Sequence, residues 1–331
     1  MPTRITSTSS TRLTLAAAGL ALAITGVAQA EILLLAGNQG VIHQLDTDTG
    51  EVTFRGVCAG PVSSMVVSDA TLYLGDENGS VYAFDVNTNL VTGAFNVPAD
   101  ASAMSWIADQ LVIADSGGEI FYVDTVSNQI VDSTVITTTD ITAMGLDAGG
   151  LFVGGQSTLA LRSHIGQDDF TFFAACGSMI NSMAFGPDTM FLAGTGFAGP
   201  TDGTVYLFDK FAGGIEYSGT HSVESDVSAM VSLGRTLFIA GTDGMIHQMD
   251  TATGEITDVI DAGINIQAMT PAAGLTSCPA DYDASGGLDF LDISRFLELY
   301  TGRVVPADMN GDGNFDFLDI SRFIRIYSNG C

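Results

Sequence analysis

Residues 64–85 read SMVVSDATLYLGDENGSVYAFD. A small residue and a methionine open the stretch. An apolar run follows at Leu72-Tyr73-Leu74-Gly75, then a Gly-containing turn, then an alternating run from Gly79 that ends on Asp85. Short apolar or alternating runs bounded by Gly, Asn and Asp are the pattern of strands and tight turns. Working outward, the same order recurs along the chain. Methionine returns at Met65, Met104, Met144, Met183, Met230 and Met269, spaced 39, 40, 39, 47 and 39 residues apart, each after Ser or Ala. Helical periodicity is absent from this region.

Four short strands about every forty residues are the signature of a propeller blade, and a sandwich would not repeat in register six times. The ends of the repeat say how the ring closes. Glu31 to Gly37 begins at the second strand of a blade, with no Ser/Ala-Met strand before it, and the missing strand stands at Ile266-Gln267-Ala268-Met269-Thr270. The C-terminal segment is therefore expected to supply the inner strand of blade one, so that strands otherwise left as edges are paired. The expected fold is all-β: a six-bladed β-propeller followed by a small α-helical C-terminal module. The repeat resembles the broad quinoprotein-like and WD40-like propeller superfamily over roughly 240 residues, a likeness of architecture that carries little function.

Within the repeat, Asp46, Asp85, Asp124, Asp209 and Asp250 are read as turn residues, since Asp-x-x-Thr-Gly is good turn chemistry. The six methionines are read as blade-to-blade packing. His43 and His247 share a blade position with Tyr82, Phe121 and Tyr206 and are read as packed rings. Blade four departs from the repeat around Ser157 to Gly166, and blade five carries an insertion near 196–202. A polar residue stands two before each methionine: Ser63, Ser102, Thr142, Asn181, Ser228 and Gln267. These either line a ligand-binding channel mouth or are satisfied strand ends. Catalysis has no local signature of the Ser-His-Asp or Cys-His kind. The single tryptophan, Trp106, leaves out the repeated Trp motifs of eight-bladed quinoprotein dehydrogenases.

The first thirty residues have the layout of a signal peptide: Arg4 and Arg12, an apolar stretch from Leu13 to Val27, and Ala28-Gln29-Ala30 as cleavage site. Export to the periplasm, cell surface or medium is expected, and no stretch is long enough to span a bilayer. The 331-residue chain carries 38 acidic against 10 basic side chains, a net charge of -28. That balance excludes nucleic acid as a partner, because phosphate neutralisation needs clustered Lys and Arg. The expected division is 1–30 signal peptide, 31–273 propeller and 274–331 C-terminal module.

In that last segment two twelve-residue loops begin 27 residues apart. Asp281, Asp283, Ser285, Asp289 and Asp292 occupy positions 1, 3, 5, 9 and 12 of the first; Asp308, Asn310, Asp312, Asp316 and Asp319 do so in the second. Gly286 and Gly313 hold position 6, where the loop turns sharply, and Gly287 and Asn314 at position 7 would offer backbone carbonyls. Calcium takes six to eight hard oxygen ligands, and this spacing wraps them around one ion, so two Ca2+ ions are expected. Each loop runs into the same sequence, Asp-Phe-Leu-Asp-Ile-Ser-Arg-Phe, at 289–296 and 316–323.

A position-12 Asp without an entering helix resembles a dockerin of the GC type, with Cys278-Pro279 before and Gly330-Cys331 after the loops. The resemblance covers 278–331. It implies a cohesin-like or cell-surface partner bound through Phe290, Leu291, Arg295, Phe317, Leu318 and Arg322, in either of two orientations. Cys278 and Cys331 bracket the module, and a disulfide clasp between them is the favoured pairing. Cys58 and Cys176, in opposite blades, are either bridged over the channel or free. The expected function is a non-catalytic binding or scaffold propeller tethered through its calcium-loaded C-terminus. The alternative is an exported propeller enzyme, a lyase or hydrolase of polysaccharide metabolism, on the same tether.

Overall fold

The computed structural model describes residues 32–107, 110–136, 140–147, 150–164, 169–186, 188–194, 203–211, 214–223, 225–272, 280, 290–303, 307, 309 and 314–329. Six antiparallel four-stranded sheets form a β-propeller, followed by two helices, α1 (Phe290–Gly302) and α2 (Phe317–Asn329). Blade one takes its inner strand, Ile266–Pro271, from the far end of the repeat and pairs it with Ile32–Gly37, Leu35 opposite Met269. Blades two to six are contiguous, with inner strands Ser64–Ser68, Ala103–Ile107, Ala143–Asp147, Ser182–Phe185 and Val227–Leu233. The closure anticipated from the incomplete first repeat is the one found.

The second strand of each blade is sandwiched between neighbours, which explains its unbroken apolar run. In Ile32–Gly37 all six residues are buried. Successive side chains point to opposite faces. Ile32, Leu34 and Ala36 therefore pack with Met65, Leu72 and Leu74 of blade two. Leu33 and Leu35 pack with Phe238, Ile246 and Met269 on the side of blade six. The outer strands meet solvent, as the exposure of nearly all of Gln129–Val135 shows. In every blade the pairing of third and fourth strands shifts register once. Such bulges add the local twist that lets a blade fan outward from the axis.

Close backbone approach fixes some glycines. A Cβ on Gly194 would run into the carbonyl of Met179 at the blade junction. The four-residue turns that follow the third strands are built on aspartate. Asp46, Asp85, Asp124 and Asp250 each accept two backbone N–H bonds from residues two and three ahead, such as Ala252 at 2.8 Å and Thr253 at 3.0 Å. These are Asx turns, as the sequence pattern implies. The same bonds hold the Asp124 carboxyl below its ordinary range, through Val126 and Ser127 N–H. They do so for Asp250 through Ala252 and Thr253, with Arg235 adding to the effect.

The helical module has its own core of Ala280, Phe296, Leu299, Ala307, Met309 and Phe323. Phe296 with Tyr300, and Phe323 with Tyr327, make equivalent tilted contacts at 5.8 and 5.7 Å. The 27-residue repeat is thus also a spatial repeat. No described helix is long and apolar enough to cross a membrane.

Candidate functional sites: the channel mouth and the paired loops

The six methionines sit where the packing reading puts them. Met65, Met104, Met183, Met230 and Met269 are 5–8% exposed and each belongs to an inter-blade cluster, with Met144 packed against another. Around the axis the inner strands line an open cavity of about 110 Å³. Its lining contains every member of the polar ring: Ser63, Ser102, Thr142, Asn181, Ser228 and Gln267.

The two readings of this ring turn out to be compatible. Ser102 Oγ donates to Ala114 O of its own blade at 2.9 Å and to Ile141 O at the start of the next blade at 2.6 Å. Ser63 Oγ does the same with Gly75 O at 3.1 Å and Ala101 O at 2.8 Å. Thr142 Oγ1 reaches Ile180 O at 2.5 Å, and Ser228 Oγ reaches Ala240 O at 3.2 Å. Ser63, Ser102 and Thr142 therefore staple blade to blade while also lining the cavity. The repeat length carries this in sequence, because the acceptors in the next blade lie 38 or 39 residues ahead of Ser63, Ser102 and Thr142.

Ends of the propeller differ in charge. The face at the channel mouth holds the blade-to-blade connections and the turns between second and third strands. These carry Asp100, Asp115, Asp226 and Asp243 and no Lys or Arg. Basic groups of the propeller gather toward the other end. Lys210, the chain's single lysine, bridges Asp147 at 3.1 Å and Gly186 O. Arg235 faces Asp250 at 3.5 Å, Arg55 Nη2 donates to Val86 O at 2.7 Å, and Arg162 lies over the Phe152 and Phe173 rings.

Cys58 and Cys176 are free. Each thiol donates to carbonyls beside it, Cys58 to Gly60 O at 3.3 Å and Cys176 to Ser178 O at 3.1 Å. Burial pushes both thiols up from their ordinary pKa. They hold the same corner of opposite blades, Cys58 buried and Cys176 partly buried, which is the unbridged alternative of the sequence reading. His43 is a packed ring, edge-on to Phe54 at 5.7 Å, and its pKa is lowered by burial. The blade-five insertion at 196–202 lies outside the described residues, as do residues 165 and 166 of the irregular stretch in blade four.

Of the loop positions, Asp281, Asp283, Ser285, Gly287, Asp289, Asp308, Asn310 and Asp312 lie outside the described residues, as do Cys278 and Cys331. Among the described residues no three metal-ligating side chains converge. Asp292 and Asp319, the two position-12 carboxylates, are both fully buried at the first turn of their helices. Asp319 Oδ2 accepts Asp316 N at 2.9 Å while Asp316 Oδ1 accepts Leu318 N at 2.8 Å, and together they cap the start of α2. Asn314 and Asp316 are exposed. Buried carboxylates are retained only with compensating positive charge or hydrogen bonds. An all-oxygen donor set of this kind fits a hard cation such as Ca2+.

The residues expected to meet a partner are split. Phe290 and Phe317 are each 74% exposed and Leu318 57%. The side chain of Leu291 lies outside the described residues. Arg295 pairs with Glu298 in its own helix at 2.7 Å. Arg322 instead reaches Glu51 in a turn of blade one at 3.3 Å, a contact that no sequence signal announces.

Residues 10–169 match the family described as outer membrane protein assembly factor BamB. The matched stretch includes the N-terminal strands of blade one, all of blades two and three, and the inner three strands of blade four. The first half of the propeller is thus similar in sequence to that family. No curated protein matches the chain.

Proposed function

We propose that this protein is an exported, calcium-loaded scaffold: a non-catalytic binding propeller tethered through its paired-loop module to a cohesin-like or other surface partner. The observation that carries the reading is the exact internal repeat of the module. Two calcium-type loops end in the same eight residues, bury the same position-12 carboxylate, and leave the same phenylalanine exposed at the head of each helix. A fold that needed the repeat only for its core would have no reason to expose Phe290 and Phe317. Large apolar groups standing free at equivalent points mark an interaction surface.

Export rests on the layout of residues 1–30. The similarity of residues 10–169 to a family named for outer membrane assembly supports a place in the cell envelope. The propeller's part is to present its channel mouth to a ligand, since loops and mouths on a rigid ring are where such scaffolds carry specificity.

Isothermal titration of the chelator-stripped chain with CaCl2 tests the metal step. Two sites are expected, reduced to one by Asp292→Ala or by Asp319→Ala. Absence of calcium-dependent heat would sink the reading. Binding to a cohesin module immobilised on a sensor surface tests the tether. The expected signal requires calcium and is lost in a Phe290→Ala/Phe317→Ala double variant that still takes up both ions.

A further inference from the structure

We propose that the channel mouth is a binding site for a primary ammonium group, either of a small free amine or of a lysine side chain. The inference deepens the channel-mouth part of the reading above and does not depend on the calcium module. Its starting point is where the ring's protons go. A carbonyl oxygen cannot donate, so Ser63, Ser102, Thr142 and Ser228 must each spend their hydroxyl proton on the carbonyls they contact. A hydroxyl has one proton and two lone pairs. With the proton committed within the sheet, each oxygen offers only lone pairs elsewhere. Gln267 commits one of its two amide N–H bonds to Asn265 Oδ1.

All of these groups border one cavity. The four hydroxyls thus present acceptor lone pairs and ask for a ligand made of donors. An ammonium supplies three N–H donors on a compact head. The volume, about 110 Å³, compares with roughly 30 Å³ for one water in the liquid and so admits an ammonium with the first carbons of its stem. Charge agrees with hydrogen bonding. The rim holds Asp100 and Asp243 while the propeller's Lys and Arg lie toward the other end, so the field at the mouth favours a cation.

The test uses the whole chain with its methionine methyl groups labelled with carbon-13, because six of the twelve methionines line the cavity and report on it by NMR. Butylammonium, butyltrimethylammonium and 1-butanol are titrated in parallel, each with calcium and with chelator. Saturable shifts of the lining methyls are expected with butylammonium alone, weakened at least tenfold by Thr142→Val and unchanged by chelation. An arm with the Nα-acetylated N-methylamide of lysine separates the sources. Tighter binding than butylammonium indicates a protein-borne lysine, weaker binding a free amine, and both support an ammonium site. Equal response to the quaternary ion would reduce the effect to the charge of the rim and overturn the proposal. A response to butanol alone would leave a channel-mouth site but refute the ammonium assignment. Silence with all three also refutes it, without touching the calcium reading.

Discussion

The rings of Phe296 and Phe323 stack face to face, their centroids 4.0 Å apart and their planes within 3°. They are the same residue of the two loop-helix repeats, so the stack marks the local twofold axis of the module. Both rings are buried, and each repeat's apolar face is covered by the other. Among the described residues neither loop-helix unit has a core of its own.

Truncating either ring is therefore expected to unfold both repeats together. Phe296→Ala and Phe323→Ala should each cost about 3–5 kcal/mol. Their double-mutant cycle should show a coupling of about 0.5–1.5 kcal/mol from the aromatic pair. Two signals separate the domains. The helical far-UV signal reports α1 and α2, whereas the fluorescence of Trp106, the single tryptophan, reports blade three. The helix transition should fall in denaturant while the Trp106 transition stays in place. A joint fall of both would show the module to be part of the propeller's cooperative unit.

A channel-lining substitution and one at a blade junction should differ sharply in cost. Thr142→Val removes the donor to Ile180 O and leaves that carbonyl to find water, a loss of about 1 kcal/mol. Gly194→Ala forces a Cβ against the Met179 carbonyl, where backbone faces backbone and neither can give way cheaply. It should cost more than 2 kcal/mol, in the range of core overpacking. Denaturant midpoints by Trp106 fluorescence rank the two. A Gly194→Ala protein as stable as Thr142→Val would show that this corner of blade five yields.

The blades were legible because their periodicity is enforced everywhere by burial. Leu33 and Leu35 must face one neighbour while Leu34 and Ala36 face the other, so the apolar run betrays a strand covered on both sides. The closure was legible because one strand was missing at Glu31 and one was spare at Ile266. Spacing also placed the polar ring, since residues in register around an axis meet there. What spacing leaves out is direction. Nothing in Ser102 itself says that its proton crosses to Ile141 O of the next blade. The pairing of Arg322 with Glu51 was hidden for the same reason, because it joins residues 271 apart with no repeat relating them.

Acid should weaken the propeller through His43. Its ring is half-buried against Phe54, Nδ1 has no partner among the described residues, and burial holds its pKa below 6.5. The unfolded chain therefore takes up a proton that the folded one resists. Full stability holds above about pH 6.5 and is lost as pH falls through the depressed folded value. Replacement by the ring that blade three uses at this position, His43→Phe, removes the titration. The Trp106 midpoint of the wild type should drop between pH 7 and pH 5 more steeply than that of the variant. Parallel slopes would assign the loss to other groups.

The module's twofold symmetry is broken by its contact with the propeller. Arg295 turns back to Glu298 on its own helix, but the equivalent Arg322 reaches across to Glu51. The pair is partly exposed, 27% at the arginine and 54% at the glutamate, so its worth is at most about 1 kcal/mol and falls with salt. Arg322→Ala should leave both unfolding transitions within about 1 kcal/mol of wild type. Its effect should lie in arrangement, because a weak contact that adds little to stability still sets how the two units sit. Small-angle scattering at low salt should give a larger radius of gyration for the variant, and the wild type should approach that value near 0.5 M NaCl, where the Debye length is a few ångströms. Identical scattering curves under all conditions would mean that other contacts hold the module. A salt-dependent difference would show that the Arg322–Glu51 pair sets how the two units sit.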